Sequence, residues 1–255
     1  MSAFKVVIPA RYGSARLPGK PLKLIGGTPM VVRVAQRARL AGADEVIVAT
    51  DDERIAAVAA DAGLEAVMTA RSHVSGTDRV WEVARRRADW AEDAVVINLQ
   101  GDEPLIAPEI IAQLAAAVAA SDEVGMATLC EPFANHADTS NPNTVKVVRD
   151  AANFALYFSR ASIPHLLSRR RAAQAHLWRR HIGLYAYRIS GLRRFVDLPP
   201  SALEDIERLE QLRALEHGLP ILVLDACRPS PKGVDTPADL ARVRRLVEGA
   251  TSPPS

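Results

Sequence analysis

Three cations fall within one short stretch, Ala10-Arg11-Tyr12-Gly13-Ser14-Ala15-Arg16-Leu17-Pro18-Gly19-Lys20. Arginine presents a planar fork of donors and lysine a point charge, and both suit phosphate oxygens. Glycine lets a backbone approach a ligand closely. The stretch directly follows Phe4 to Pro9, an almost unbroken apolar run that reads as a buried strand. In open α/β sheets ligands bind beyond the carboxyl ends of the strands. The pattern points to an anionic ligand, a phosphate chain, with a merely solvated basic loop as the plain alternative. It is not a Walker A loop, because Gly13 and Gly19 are one residue too far apart and Pro21 follows Lys20. Nor is it the Gly-x-Gly-x-x-Gly dinucleotide fingerprint.

A second candidate follows another apolar run, Val95 to Leu99. It reads Gln100-Gly101-Asp102-Glu103-Pro104. A carboxylate at the end of a central strand suits a divalent cation, since Mg²⁺ commonly takes one or two carboxylates plus substrate phosphates. The alternative is an ordinary turn or cap. The third is Ser75-Gly76-Thr77, a turn opening a helical run, which presents backbone N–H groups or serves simply as an N-cap.

The elements that must position these residues alternate between strand and helix patterns. Apolar runs at 4–9, 45–50, 65–69 and 94–99 read as strands. They alternate with helices over 30–41, 53–62, 80–90 and 108–120. Such alternation implies a parallel sheet with right-handed crossovers. Asp51-Asp52 at the carboxyl end of the second strand are placed to cap the helix that follows. The second half differs. Strands are expected over 124–129, 145–148, 154–158 and 181–187, the middle two as a hairpin, so the sheet becomes mixed. The stretch from Leu166 to Trp178 reads as a loop or weak helix. Ser201 to His217 reads as one amphipathic helix, with Ile206, Leu209, Leu212 and Leu215 at helical spacing and Gly218 as its stop. A short strand, Ile221 to Leu224, precedes a last helix capped by Thr236 with Pro237 in its first turn.

Composition bounds the possibilities. A chain of 255 residues, nearly half of them hydrophobic, supports one large α/β domain. A net charge of +2 gives no global field for nucleic acid. Short arginine runs at 85–87 and 169–171 read as solvated surface. Cys130 and Cys227 show neither metal spacing nor a disulfide framework, which fits a reducing compartment. No secretory signal pattern and no apolar run of membrane-spanning length is present. The expectation is a cytoplasmic protein without membrane partners, its domain covering 1–250 and a disordered tail covering 251–255.

Taken in order, the motifs resemble one family. Ile8-Pro9-Ala10-Arg11-Tyr12-Gly13-Ser14-Ala15-Arg16-Leu17-Pro18-Gly19-Lys20-Pro21-Leu22 is similar to the opening of the CMP-Kdo synthetases, the 3-deoxy-manno-octulosonate cytidylyltransferases. So are His73-Val74-Ser75-Gly76-Thr77-Asp78-Arg79, Gln100 to Pro104, Tyr157-Phe158-Ser159-Arg160 and His181-Ile182-Gly183-Leu184-Tyr185. Leu203-Glu204, Glu210 to Arg213 and Gly233-Val234-Asp235-Thr236-Pro237 complete the series. The resemblance runs to about residue 246, and Ala15 stands where some members carry Thr.

The resemblance implies an α/β fold, Rossmann-like, with a mixed, mostly parallel sheet flanked by helices. It also implies a smaller β-rich portion, about 130–190, that serves the sugar site and a homodimer contact. The implied reaction is cytidylyl transfer from CTP to 3-deoxy-D-manno-octulosonate, giving CMP-Kdo and pyrophosphate for lipopolysaccharide biosynthesis. Ala10, Arg11, Ser14, Arg16, Lys20, Ser75, Gly76 and Gln100 are the implied nucleotide contacts. Gln100, Arg160, His181, Tyr185, Glu210 and Gln211 are the implied sugar contacts. Arg16, Lys20, Asp102 and Asp235 are the implied catalytic groups, with Asp102 and Asp235 holding Mg²⁺. Plain roles remain for some of these: Tyr185 as core, Glu210 on a solvated helix face, His181 as a satisfied strand histidine. The rival functions are activation of another acidic sugar of the sialic-acid type and a non-catalytic sugar-nucleotide-binding subunit.

Overall fold

The computed structural model describes residues 3–14, 16–133, 136–165 and 177–249. Ala15, most of the 166–178 stretch and the 251–255 tail lie outside the described residues.

The sheet is built as the alternation predicts. β1 (Phe4–Ala10) pairs in parallel with β4 (Glu45–Thr50) on one side and β6 (Val95–Asn98) on the other. β5 (Glu65–Met68) adds beyond β4, also in parallel. Successive side chains of a strand face opposite sides, and the core divides accordingly. Phe4, Val6, Ile8, Val46, Val48 and Ile97 pack under α1 (Met30–Leu40), α2 (Glu53–Asp61) and α4 (Pro108–Ala119). Val7, Ile47, Ala49 and Val96 pack on the other side, against α3 (Gly76–Arg85) and α5 (Ile189–Val196). A short hairpin of β2 (Leu24–Ile25) and β3 (Thr28–Pro29) leads into α1, so Pro29 caps that helix from outside.

The second half departs from expectation in two ways. First, most of the β-rich portion expected over about 130–190 is built into the main sheet, which is mixed as expected. β7 (Met126–Pro132), β10 (Arg179–Arg188) and β11 (Leu222–Asp225) lie within the main sheet, whose order is β11-β7-β10-β6-β1-β4-β5. β10 is antiparallel to both β6 and β7, and β11 is parallel to β7. Only the hairpin of β8 (Lys146–Arg149) and β9 (Ala155–Ser159) branches away, attached through β8 to the start of β10.

Second, the single helix expected over 201–217 is two. α6 (Ala202–Glu207) stops at Arg208, which adopts a left-handed conformation (φ 53°), and α7 (Leu212–Glu216) starts afresh. Ile206, counted on the apolar stripe, is 78% exposed. The helix α3 also starts earlier than expected and ends at Arg85, with Trp90 beyond it on a turn. The last helix, α8 (Pro237–Gly249), starts as expected, with the Thr236 hydroxyl accepting from the Asp239 amide.

Candidate functional site: two joined cavities

β1 and β6 are parallel neighbours, so their carboxyl ends lie side by side. The loop after β1 carries Arg11, Arg16 and Lys20, and the turn after β6 carries Gln100 and Asp102. Local packing shapes the first loop. Gly19 sits in the left-handed region (φ 64°), and a Cβ there would lie 3.2 Å from the Tyr12 ring. The Arg54 guanidinium covers that ring at 3.5 Å and binds Asp52 through two nitrogens, and the Asp52 carboxylate caps α2. Leu17 anchors the far side of the loop in a small apolar cluster with Ile25, Met30, Val234 and Leu240.

That cluster also seats the 230–236 segment. The Val234 amide donates to the Asp102 carbonyl at 2.8 Å, which brings Asp235 beside Asp102. Lys20 Nζ stands between the two carboxylates, 2.7 Å from Asp102 Oδ2 and 3.1 Å from Asp235 Oδ1. Arg16 reaches Asp235 Oδ1 at 3.1 Å as well. Burial disfavours the charge on Lys20, but the two carboxylates outweigh it and the ammonium is held above its usual range. Glu103 behind Asp102 is pushed up to about 8, first by burial and then by the charge of Asp102.

Two cavities open on this cluster. One, of about 380 Å³, is lined by Ala10, Arg11, Ser14, Arg16, Lys20, Ser75, Gly76, Gln100, Asp102 and Asp235. All eight candidate nucleotide residues are therefore gathered in it. The Ser75 hydroxyl and Asp78 carboxylate close a capping box at the start of α3. The second cavity, of about 720 Å³, holds Gln100, Arg160, His181, Tyr185 and Gln211 among its lining residues. Arg16, Gln100 and Asp235 border both. Both volumes lie in the range of small-molecule sites.

Glu210 is placed differently. Its carboxylate accepts from the Thr77 hydroxyl at 3.0 Å, behind the Ser75–Thr77 turn, and it lines neither cavity. Burial raises its pKa, and the hydroxyls of Ser75 and Thr77 oppose the shift. One of its oxygens, Oε1, and Gln211 Nε2 are buried atoms without a partner. Since buried polar groups are nearly always paired, the two form an unsatisfied edge at the break between α6 and α7. His181 Nε2 lies 3.1 Å from both the Thr128 and Tyr185 hydroxyls. Burial, then the charge of Arg180, pushes its imidazole down to about 3, so it is neutral at physiological pH. Tyr185 is 9% exposed and its hydroxyl is held well above its usual range, first by burial.

Sequence reasoning missed several lining residues. Arg79, 3% exposed, borders the first cavity with its guanidinium on Thr69 and Asp51. His73 borders it too, its ring held by the buried Glu82. Both stand in the quoted His-x-Ser-Gly-Thr-x-Arg motif, where the signal was present. Asn141, Asn143, Arg180, Arg208 and Lys232 line the second cavity. They carry no local pattern that separates them from surface polar residues.

The donor set fits Mg²⁺. Two carboxylates already converge on one cation, the Lys20 ammonium. No group of three or more His, Cys, Asp or Glu suited to a metal occurs among the described residues. A dedicated protein cage is not what Mg²⁺ needs, because substrate phosphates complete its shell.

Comparison with known proteins gives a consistent picture. A family model described as cytidylyltransferase matches residues 5–221. A 3-deoxy-manno-octulosonate cytidylyltransferase of Pseudomonas fluorescens is 53% identical over 252 residues, covering 97% of this chain and 99% of the relative. One from Aeromonas hydrophila is also 53% identical over 252 residues, covering 96% and 99%. Among solved structures, CMP:2-keto-3-deoxy-manno-octonic acid synthetase complexed with CTP superposes with a TM-score of 0.90. It is 43% identical and covers 98% of this chain and 100% of its own.

Proposed function

The chain belongs to the cytidylyltransferase family, among its 3-deoxy-manno-octulosonate cytidylyltransferases, and from that premise we propose that it transfers the cytidylyl group of CTP to 3-deoxy-D-manno-octulosonate. The products are CMP-Kdo and pyrophosphate, and the role is lipopolysaccharide biosynthesis in the cytoplasm. No helix among the described residues is long and apolar enough to cross a membrane. The observation that carries the reading is the joint between the two cavities, where Arg16, Gln100 and Asp235 face both.

The first cavity takes CTP. Arg11, Arg16 and Lys20 meet the triphosphate, and the Ser75–Gly76 turn with Gln100 meets the base. The second takes the sugar acid, with Arg160, Arg180, Arg208 and Lys232 giving it a cationic wall. The neutral His181 and the Tyr185 hydroxyl offer hydrogen bonds to sugar hydroxyls. The anomeric hydroxyl oxygen then attacks the α-phosphorus in line, its proton passing to solvent, and the bond from that phosphorus to the β-phosphate oxygen breaks. The protein holds the two reactants in register and neutralises charge on the departing pyrophosphate. Asp102 and Asp235 would hold Mg²⁺, which would supply Lewis-acid chemistry to the phosphate oxygens there. Lys20, paired with both carboxylates in the free protein, is well placed to turn to phosphate oxygens.

We also propose a homodimer. Among the described residues β9 has a ladder only with β8, its first residue Ala155 also donating to the Ile221 carbonyl, and Leu156 on it is 62% exposed. Such an edge with an apolar side chain suits a second copy. Light scattering at micromolar concentration tests this, and a monomer mass would refute it. The function itself is tested by pyrophosphate release from each of four nucleoside triphosphates against a panel of acidic sugars. Release is expected only with CTP and 3-deoxy-D-manno-octulosonate. Equal turnover with UTP or ATP would refute the base assignment, and preference for a sialic acid would refute the sugar.

A further inference from the structure

Part of the wall of the second cavity comes from three stretches far apart in sequence: 141–145, Arg160 and 208–211. Two side chains that line neither cavity join them. Lys146 has no exposed surface. Its ammonium donates to the carbonyls of Asn141 at 3.0 Å, Thr144 at 2.8 Å and Arg160 at 2.5 Å. A buried ammonium without a carboxylate in contact is expensive, and burial, reinforced by the Arg160 charge, lowers its pKa although Glu207 opposes the shift. Its three hydrogen bonds tie the 141–144 stretch to the Arg160 backbone.

Glu207 completes the arrangement. Its two oxygens accept separately from the Ser159 hydroxyl at 2.5 Å and the Arg160 amide at 2.9 Å. The Arg160 guanidinium returns to the carbonyls of Glu207 at 2.7 Å, Arg208 at 3.3 Å and Pro142 at 3.0 Å. The bonds to Glu207 and Arg208 meet where α6 breaks, and the bond to Pro142 ties that point to the 141–145 stretch. Arg208 there is a non-glycine residue in the left-handed region, a conformation that persists only where its surroundings impose it. Left to its own periodicity the segment would continue as one helix, and a different face of it would meet the cavity.

We propose that Lys146 and Glu207 form a strap that imposes the α6–α7 break and fixes the 141–145 stretch against it, making both positioning residues for the acceptor sugar. The proposal rests on the assignment of the second cavity to the sugar. None of the strapped stretches lines the first cavity, so the effect is selective.

The test uses Lys146→Met and Glu207→Gln in the full chain. Each variant is assayed for pyrophosphate release with 3-deoxy-D-manno-octulosonate varied at saturating CTP, and the reverse. The KM for the sugar should rise tenfold or more, while the KM for CTP and CTP binding by calorimetry stay within twofold. Amide hydrogen exchange should accelerate at 141–145 and 208–212 and remain unchanged at 95–102. A sugar KM within twofold of wild type in both variants overturns the proposal, and so does a parallel rise in both KM values. If Lys146→Met no longer binds CTP, Glu207→Gln decides alone. If the wild type does not use this sugar, the functional reading fails, and the strap is judged on exchange, where unchanged rates at both stretches overturn it.

Discussion

Replacing Gly233 by alanine should cost turnover more than it costs folding. The added Cβ would lie 2.9 Å from Glu103 Oε1 and 3.1 Å from the Asp102 carbonyl oxygen. Ordinary contacts begin near 3.5 Å, so the methyl is roughly half an ångström too close. The two neighbours differ in how far they can yield. Glu103 is half-buried and its carboxyl end can swing aside, but the Asp102 carbonyl is backbone and is engaged by the Val234 amide at 2.8 Å, so it cannot. The strain is relieved by lifting the 232–235 segment, which carries Asp235 away from Asp102 and Lys20. Overpacking of this kind costs about 1–3 kcal/mol, and each kcal/mol lowers the melting temperature of a chain this size by about 2–4 °C. A 1 Å misplacement at a reacting centre can cost about a hundredfold, so half of that should lower kcat by roughly tenfold. The assay is pyrophosphate release at saturating Mg²⁺ and both substrates, alongside a melting curve. Wild-type kcat with wild-type melting would refute the reasoning, because the segment would then have slack and its closeness to Asp102 would not set the site.

Asp102→Asn and Asp235→Asn should each lower turnover by orders of magnitude and fold normally. Because both carboxylates meet one cation, the double variant should be little worse than either single one, and additive losses in the cycle would mean two separate roles. Arg16→Ala and Lys20→Ala should raise the KM for CTP, each losing a charge-assisted contact worth about 1.5–3 kcal/mol, roughly ten- to a hundredfold. Unchanged CTP kinetics in both would remove the loop from the triphosphate site. His181 has a folded-state pKa pushed down to about 3 from 6.5 by burial, then Arg180. The unfolded chain therefore takes up this proton first as pH falls: stability is complete above about pH 6.5 and is lost progressively from there toward pH 3. His181→Gln should flatten that part of the curve of denaturation midpoint against pH, and an unchanged slope would refute the assignment.

The front of the sheet was legible because its strands are apolar on both faces and its loops carry glycine and charge together. Each candidate nucleotide residue sits within ten positions of a strand's carboxyl end, so local pattern and site coincide. The sugar side was not legible in the same way. Ile206, Leu209, Leu212 and Leu215 do keep helical spacing, but the break between them is held by Arg160, nearly fifty positions away in sequence. Hydrophobic periodicity registers propensity and misses such tertiary bonds. Glu210 carried the right motif, yet the break turns it behind the Ser75–Thr77 turn and gives the cavity to Gln211. Arg180 gave no signal because its role depends on β10 lying between β6 and β7, which strand patterns alone do not disclose. The pairing of Asp102 with Asp235 was readable only through the family motifs, and the Val234 amide supplies the physical reason for it.

The position of β10 bears on how the chain leaves the ribosome. β6 ends at Asn98, but its second partner begins only at Arg179. Until that strand emerges, β6 and β7 each present an open ladder in what will become the middle of the sheet, and such edges invite pairing with other chains. Closing the gap joins residues distant in sequence, which makes it a slow step. β10 also carries His181 and Tyr185, and Asp235 follows later still. Translation therefore supplies the nucleotide loop first and the groups that complete the joint last, so no nascent fragment ending before β10 contains both halves of the site.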